Sequence, residues 1–244
     1  MADATQETHL GQYLRSTRDP AYSLLFLLPL IIAYEVLALL LNVHHTVEVR
    51  NGADVILREI LALLHIDNLP LAMVVALVVI IGALTSHLKR QIHLRPHYFG
   101  GMIAESCLWA VLIGAISRRM VHMFFAAPLL GGQGPATKMM LFLGAGVYEE
   151  LVFRVLLIGG FAIVFRKLMG LDRSGSAMLA VVAAAFLFSL FHHVGPFGEP
   201  FRTATFLFRF YAGLVLSALY VTRGLGITAW SHALYDIFLY LGVA

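Results

Sequence analysis

The stretch LFLGAGVYEELVFRVLLI, residues 141–158, places three charged side chains inside an apolar run. The charged residues are Glu149, Glu150 and Arg154. A mostly apolar run of about 20 residues is long enough to cross a bilayer as a helix. Each charge in the middle of such a helix costs at least about 2.5–3.5 kcal/mol. A purely structural helix does not require that cost, so we infer that other polar groups or a chemical function hold these charges there.

The rest of the sequence has the same apolar character. Of its 244 residues, 60% are hydrophobic and 13% are charged, whereas a soluble domain is about 45–50% apolar and about 25% charged. We therefore predict an all-α fold, a polytopic transmembrane helix bundle. The predicted spans are residues 22–41, 69–88, 102–117, 139–158, 177–193, 203–221 and 225–243.

The segments between the spans define the predicted organisation. Residues 1–21 are expected to form an N-terminal cytosolic tail, and residues 22–244 a single membrane-embedded domain whose motif-bearing core is 139–243. The first apolar run is too long for a signal peptide, so no cleavable signal is expected. Residues 53–66 carry charges on one side of a helical pattern and are predicted to lie in the membrane interface. Residues 159–168 are predicted to form a short separate helix.

Charge and cysteine content exclude several classes of function. The basic residues fall in short clusters between spans, and their distribution favours a cytoplasmic N-terminus. The sequence contains no basic stripe with interleaved aromatic residues, so no nucleic-acid partner is expected. The single cysteine, Cys107, rules out an internal disulfide and a zinc site made of several cysteines.

Helical geometry separates the three charges of the fourth span. Glu150 and Arg154 are four residues apart, so they share a helix face and can form a local ion pair. Glu149 is rotated from Glu150 by about 100°, and the same arginine cannot easily neutralise it. An unpaired carboxylate in a helix bundle is typical of a general base or acid.

Two later spans carry polar residues that could join this site. His192 and His193 close the fifth span, and His232 and Asp236 share a helix face in the seventh. A helix bundle can bring such side chains from different helices to one central site. Because a histidine at a span end is more often interfacial or hydrogen-bonded, His193 is assigned no catalytic role.

Three further ionisable residues lie in predicted spans without a motif. Glu35 and Glu105 are expected to have packing or cavity-lining roles. Arg209 is expected either to extend its charged group towards the interface or to close the site.

Three motifs together carry a resemblance to a known family. They are EELVFR at residues 149–154, FSLFH at 188–192 and HALYD at 232–236. In order, spacing and position within spans they resemble the CAAX protease and bacteriocin-processing (Abi) family of glutamic-type intramembrane proteases. The similarity covers about the C-terminal half of the chain.

The resemblance implies a bundle of about seven or eight helices with a buried, water-accessible polar cavity. It implies an endopeptidase that uses a glutamate-activated water to cleave a membrane-associated protein or peptide near its C-terminus or membrane anchor, with no cofactor or metal. It also implies a multi-pass location, which we expect to be a bacterial inner membrane. By this resemblance Glu149 is the catalytic glutamate and His192 its water-positioning partner.

The resemblance further implies that Glu150 and Arg154 form a supporting pair, and that His232 and Asp236 stabilise the oxyanion. Many members of the family have asparagine at the last position, where it can donate a hydrogen bond. Asp236 can donate only when it is protonated. Asp236 therefore either donates to the oxyanion or orients His232, which would then donate alone.

Two other functions remain open from the sequence. A metalloprotease could use the same residues, although its ligands would come from three helices and no HExxH spacing is present. A non-enzymatic membrane protein, either a proton-coupled carrier or an immunity factor that binds a toxin, could also use intramembrane Glu, His and Arg. Paired repeats with broken helices, typical of transporters, are absent from the sequence.

Overall fold

The computed structural model describes residues 8–43, 48–65, 94–124, 134–195 and 198–243, with a few positions between 78 and 85. Side chains are described for these residues except 117–124. All regular secondary structure in these residues is helical, which confirms the predicted all-α class. The predicted span 69–88 lies outside the described residues apart from those few positions.

Nine α-helices and two π-helical segments make up the described part of the chain. The α-helices are α1 (His9–Thr17), α2 (Pro20–Asn42), α3 (Gly52–Leu63), α4 (Pro96–Phe124), α5 (Pro135–Gly144), α6 (Gly159–Met169), α7 (Arg173–Phe191), α8 (Thr203–Arg223) and α9 (Leu225–Leu241). The π-helical segments, Ala145–Glu149 and Leu151–Ile158, connect α5 to α6.

Short polar residues set several of the helix starts. The Asp19 side chain accepts a hydrogen bond from the Ala21 N–H at the start of α2. Asn51 caps α3 in the same way, and Asp172 caps α7. A side-chain oxygen at this position binds a backbone N–H that has no partner within the helix.

Four described helices are long and apolar enough to cross a membrane by length and composition. They are Pro20–Asn42, Pro96–Ile116, Arg173–Phe191 and Thr203–Arg223. The protein is therefore a multi-pass membrane protein, as predicted, but a bundle of seven or eight helices is not confirmed. Two of the predicted spans are not among these four helices. The run 139–158 is divided between α5 and the π segments, and α9, which covers the predicted span 225–243, has only 17 residues.

Helix α9 lies at the centre of the bundle, against α2, α4, α8 and the first π segment. Two glycines permit this close packing. A Cβ atom at Gly146 would lie 2.5 Å from the backbone oxygen of Ala229, and one at Gly226 would overlap the backbone oxygen of Ser23. The backbones of the π segment and of α2 therefore approach α9 more closely than any larger residue would allow.

An ion pair fastens α1 to one end of the bundle. Arg223 Nε lies 2.6 Å from Glu105 Oε1, and Arg223 Nη2 donates to the Thr17 hydroxyl at 2.7 Å. The Tyr13 hydroxyl donates to the other oxygen of Glu105 at 2.8 Å. Glu105, expected to have a packing or cavity-lining role, thus anchors the N-terminal helix.

Candidate active site

The two glutamates lie where the helix changes from one π segment to the next. Glu149 ends the first π segment, and Glu150 separates it from the second. We assumed α-helical spacing for this stretch, and that assumption is wrong. A π turn contains more residues than an α turn, so adjacent side chains are less far apart around the helix axis. Both carboxylates are buried, Glu149 with only 6% of its surface exposed, and π turns occur frequently at functional sites.

Glu149 is held between two other parts of the chain. Its Oε1 accepts a hydrogen bond from Asn51 Nδ2 at 3.0 Å. Its Oε2 lies 3.9 Å from His192 Nε2, which is too far for a direct hydrogen bond. Oε2 makes no hydrogen bond to any described residue. One oxygen of the carboxylate is therefore fixed, and the other faces the histidine.

His192 follows directly after the last residue of α7. Its Nδ1 lies 2.8 Å from the backbone oxygen of Phe188. Because a carbonyl oxygen can only accept, we assign the proton of the neutral ring to Nδ1, which leaves Nε2 as an acceptor. The ring is thus oriented by its own helix, with Nε2 directed at Glu149. A quarter of the His192 side chain is exposed.

Glu150 binds a residue of the central helix. Its Oε1 lies 2.7 Å from His232 Nδ1 and 3.1 Å from Arg154 Nη1. The local ion pair that we predicted between Glu150 and Arg154 is therefore present. His232 shares the same carboxylate oxygen, which the sequence did not predict.

Arg154 is almost fully buried, with 1% of its surface exposed. Its guanidinium carbon lies 4.6 Å from the centre of the Phe188 ring. None of its three nitrogens makes a hydrogen bond to a described residue. A charge in this position is stabilised by the Glu150 carboxylate and by the electron-rich face of the ring.

Phe188 connects the two histidines. Its ring centre lies 5.0 Å from that of His192 and 6.0 Å from that of His232, and Phe153 packs against it at 5.2 Å. The first phenylalanine of the FSLFH motif therefore lies between residues of the other two motifs. From the sequence, Phe188 is identified only by its position in the motif, with no structural role assigned.

Asp236 lies one helical turn beyond His232. Its Oδ2 is 3.7 Å from His232 Nε2, and 22% of its side chain is exposed. That distance exceeds a direct hydrogen bond. Each nitrogen of the His232 ring therefore has a carboxylate nearby, Glu150 in contact and Asp236 at a greater distance.

The six predicted site residues thus form one cluster that joins α7, α9 and the π segments. Residues 133–238 match the Rce1-like family, type II CAAX prenyl endopeptidases. This match confirms the resemblance predicted from the three motifs. No curated protein and no solved structure matches the chain. The family description indicates a peptidase of the CAAX prenyl endopeptidase type.

Asn51, which the sequence analysis missed, lies well before the Rce1-like region. Asn51 is followed three positions later by an acidic residue, Asp54, and this spacing could have indicated a helix start. It could not have indicated a partner 98 positions later in the chain. Only packing of the α2–α3 connection against the first π segment brings Asn51 to Glu149.

A group of charges centred on the buried Asp54 lies beside Asn51, and we call it the α2–α3 charge cluster. Its members are Glu35, Arg50, Asp54 and Arg58. Arg50 Nη1 lies 3.3 Å from Glu35 and 3.1 Å from Asp54, and Arg58 Nε lies 2.8 Å from Asp54. Glu35, expected to have a packing or cavity-lining role, also accepts a hydrogen bond from the Tyr148 hydroxyl at 2.8 Å.

Arg209 is held by the connection between α7 and α8. It donates two hydrogen bonds to Glu199, at 2.7 and 2.9 Å. These hydrogen bonds hold the pKa of Glu199 below its usual range. The Glu199 N–H donates to the His192 backbone oxygen at 2.9 Å, and His193 Nδ1 lies 3.1 Å from the Glu199 backbone oxygen. Arg209 therefore fixes the segment that follows the FSLFH motif.

The side chains of the cluster do not have the geometry of metal ligands. Within residues that the structure describes, no group of three or more His, Cys, Asp and Glu side chains has the arrangement of a metal site. The two histidines of the cluster lie beside different carboxylates, His192 at 3.9 Å from Glu149 and His232 at 2.7 Å from Glu150.

Proposed function

We propose that this protein is a glutamic-type intramembrane endopeptidase. The observation that carries the proposal is the arrangement of Glu149 and His192. A carboxylate oxygen and an imidazole nitrogen face each other at 3.9 Å in a buried site. Contacts on the far side of each group fix it in place, Asn51 for Glu149 and the Phe188 carbonyl for His192. The match to an endopeptidase family supports the same conclusion.

The spacing suits one water molecule held by both groups. Ionised Glu149 and neutral His192 each present an acceptor, and a water has two O–H groups to donate. The oxygen lone pair of this water is then free to attack a peptide carbonyl. Glu149 takes the proton as the C–O bond forms, and it returns the proton to the leaving amine as the C–N bond breaks.

His232 is proposed to stabilise the oxyanion of the tetrahedral intermediate. Its Nδ1–H donates to the Glu150 carboxylate, so a hydrogen bond to the oxyanion must come from Nε2. The ring must then carry a proton on both nitrogens. Glu150 and Asp236 supply negative charge on the two sides of that ring. In this proposal Glu150 orients His232. Asp236 balances the charge of the ring, or donates to the oxyanion itself when it is protonated.

The proposed substrate is a membrane-associated protein or peptide, cleaved near its C-terminus or its membrane anchor. The family description, which names CAAX prenyl endopeptidases, supports this class. The predicted cytoplasmic N-terminus, bacterial inner membrane and domain division at residues 21 and 22 belong to the same proposal. The orientation of the N-terminus rests on the distribution of Lys and Arg, the domain division on the apolar pattern, and the bacterial inner membrane on the family resemblance.

The first experiment compares the C-termini of membrane proteins in cells with and without this protein. A cleaved protein found in this way then serves as substrate for purified enzyme in detergent. We expect Glu149→Gln to lower kcat at least about 10²-fold, the usual contribution of a general base. Glu59→Gln is the matched control, because Glu59 is an exposed carboxylate of α3. Equal cleavage by Glu149→Gln and wild type would contradict the proposal.

Chelation distinguishes the proposal from a metalloprotease. We expect cleavage to continue after dialysis against a strong chelator, because Glu149 activates the water without a Lewis acid. Loss of cleavage on chelation, with recovery on addition of Zn²⁺, would favour the metal-dependent mechanism. Identical C-termini in both cell types, with a phenotype that survives Glu149→Ala/His192→Ala, would favour a binding function.

A further inference from the structure

We propose that Asn51 is a positioning residue that holds the Glu149 carboxylate towards His192. This inference rests on the proposed function, and it adds to the site a residue that lies outside the Rce1-like region. Asn51 is buried, with 6% of its surface exposed. It begins α3, a helix that carries none of the three motifs.

The orientation of the Asn51 amide follows from its two hydrogen bonds. Oδ1 accepts from the Ala53 N–H at 2.9 Å, which caps α3. The other end of the amide is therefore the NH₂ group, and this group lies 3.0 Å from Glu149 Oε1. Because a backbone N–H can only donate, a flipped amide would lose the cap and would place an oxygen against the carboxylate.

The contact with Asn51 restricts how the Glu149 side chain can turn. A buried carboxylate with no fixed oxygen could rotate about its terminal bond, since such torsions are broad. With Oε1 bound to Asn51, rotation is limited and Oε2 stays on the side of His192. The general base and its partner are thereby preorganised before the substrate arrives.

Asn51 is itself held by the α2–α3 charge cluster. The Asn51 N–H donates to the Tyr34 hydroxyl oxygen at 3.2 Å, and the Tyr34 hydroxyl donates to Asp54 at 2.7 Å. Asp54 is fixed by ion pairs to two arginines, Arg50 and Arg58. Tyr34, Asn51 and Asp54 are all buried, and buried polar groups that are joined by hydrogen bonds form a rigid set. This rigidity keeps Asn51, and through it Glu149, in place.

The segment before Asn51 is fastened to the end of α2. The Asn42 side chain accepts from the Val49 N–H at 2.8 Å and donates to the Val49 oxygen at 3.1 Å. The start of α3 thus cannot move away from the bundle without breaking these contacts. Gly144 lets Asn51 approach the helix, since a Cβ atom at Gly144 would lie 2.8 Å from the Asn51 Cβ.

Two substitutions separate the capping role of Asn51 from the positioning role. Asn51→Asp and Asn51→Ser both retain a side-chain oxygen that can cap α3. Neither provides an N–H for Glu149. If Asn51 positions Glu149, both variants should lower kcat at least tenfold with KM changed less than about threefold, since the contact acts on the base and not on substrate binding. Wild-type kcat in both variants would overturn the proposal.

A thermal unfolding cycle in detergent tests the contact without a substrate. Asn51→Asp places a second carboxylate against Glu149 and should lower the melting temperature. Adding Glu149→Gln restores a donor and an acceptor, so the double variant should melt above the single Asn51→Asp variant. Asn51→Asp with Glu59→Gln is the control and should show no such recovery. Strictly additive shifts for Asn51 and Glu149 would overturn the inference.

The kinetic comparison and the thermal unfolding cycle together distinguish this inference from the proposed function. Coupling in the thermal cycle with equal cleavage by wild type and Glu149→Gln would mean that the contact exists but that the glutamate is not the base. Loss of cleavage in Glu149→Gln with full kcat in Asn51→Asp would mean that the protease mechanism holds and that Asn51 only caps α3.

Discussion

Nδ1 of His232 lies 2.7 Å from Oε1 of Glu150, so the second glutamate of the EELVFR motif binds a histidine 82 positions later in the chain. Glu149, its neighbour, contacts neither this histidine nor Arg154 at hydrogen-bond distance, and it lies between Asn51 and His192. Two adjacent carboxylates therefore have separate partners. Their substitution should have different consequences.

The first prediction is that Glu150→Gln destabilises the protein more than Glu149→Gln. Glu150 is the counter-charge of Arg154, which is buried with 1% exposure. Breaking a buried ion pair by removing one partner typically costs about 3–5 kcal/mol. Thermal unfolding in detergent measures the difference. Equal melting temperatures for the two variants would show that the Glu150 carboxylate is not needed to stabilise the buried charge of Arg154.

The second prediction concerns the close approach of the first π segment to α9. Gly146→Ala would place a Cβ atom 2.5 Å from the Ala229 backbone oxygen, so the two backbones must move apart. Overpacking of this kind costs about 1–3 kcal/mol. Gly160→Ala is the matched control, because no atom lies within 4 Å of its added Cβ. A melting temperature that is the same in both variants would contradict the packing described for α9.

The third prediction is that Glu105→Gln loosens α1 without abolishing cleavage of a substrate. Glu105 holds Arg223, and Arg223 also binds Thr17 in α1. Loss of this carboxylate leaves the buried arginine without its counter-charge, at a cost of about 3–5 kcal/mol at most. Limited proteolysis should cut between residues 8 and 19 more rapidly than in wild type. Unchanged cutting there would mean that other contacts hold α1.

The fourth prediction concerns pH and the connection after α7. Arg209 holds the pKa of Glu199 below its usual range. A depressed pKa contributes stability above the unfolded-state value, about 4.3, and that contribution disappears as the pH falls through the folded-state pKa. The Glu199 N–H, which donates to His192, should therefore lose protection from hydrogen exchange as the pH falls from about 6 to about 3.

The control for the pH prediction is Glu199→Gln. This variant cannot titrate at position 199, so its protection, corrected for the intrinsic exchange rate, should be low at every pH. The protection of the Glu199 N–H in wild type should fall to the level of the variant only in acid. A constant ratio between wild type and variant across this range would show that the Glu199–Arg209 pair does not hold the segment.

Much of the fold could be predicted because membrane insertion leaves a strong pattern in the sequence. The predicted spans 22–41 and 203–221 agree closely with Pro20–Asn42 and Thr203–Arg223. The predicted span 139–158 is helical, but its predicted α-helical spacing is wrong, because the structure divides it into α and π segments. Apolar composition reports solvent preference, and it does not report how many residues each turn contains.

The sequence by itself determined the class of the protein and the three motifs of the candidate site, because an ionisable side chain in an apolar run is visible without any structure. It also paired Glu150 with Arg154, since these residues are four apart on one helix. Only the tertiary structure placed Asn51 against Glu149, His232 against Glu150 and Phe188 between the two histidines. These contacts join distant parts of the chain, and they depend on which helix faces meet when the bundle packs.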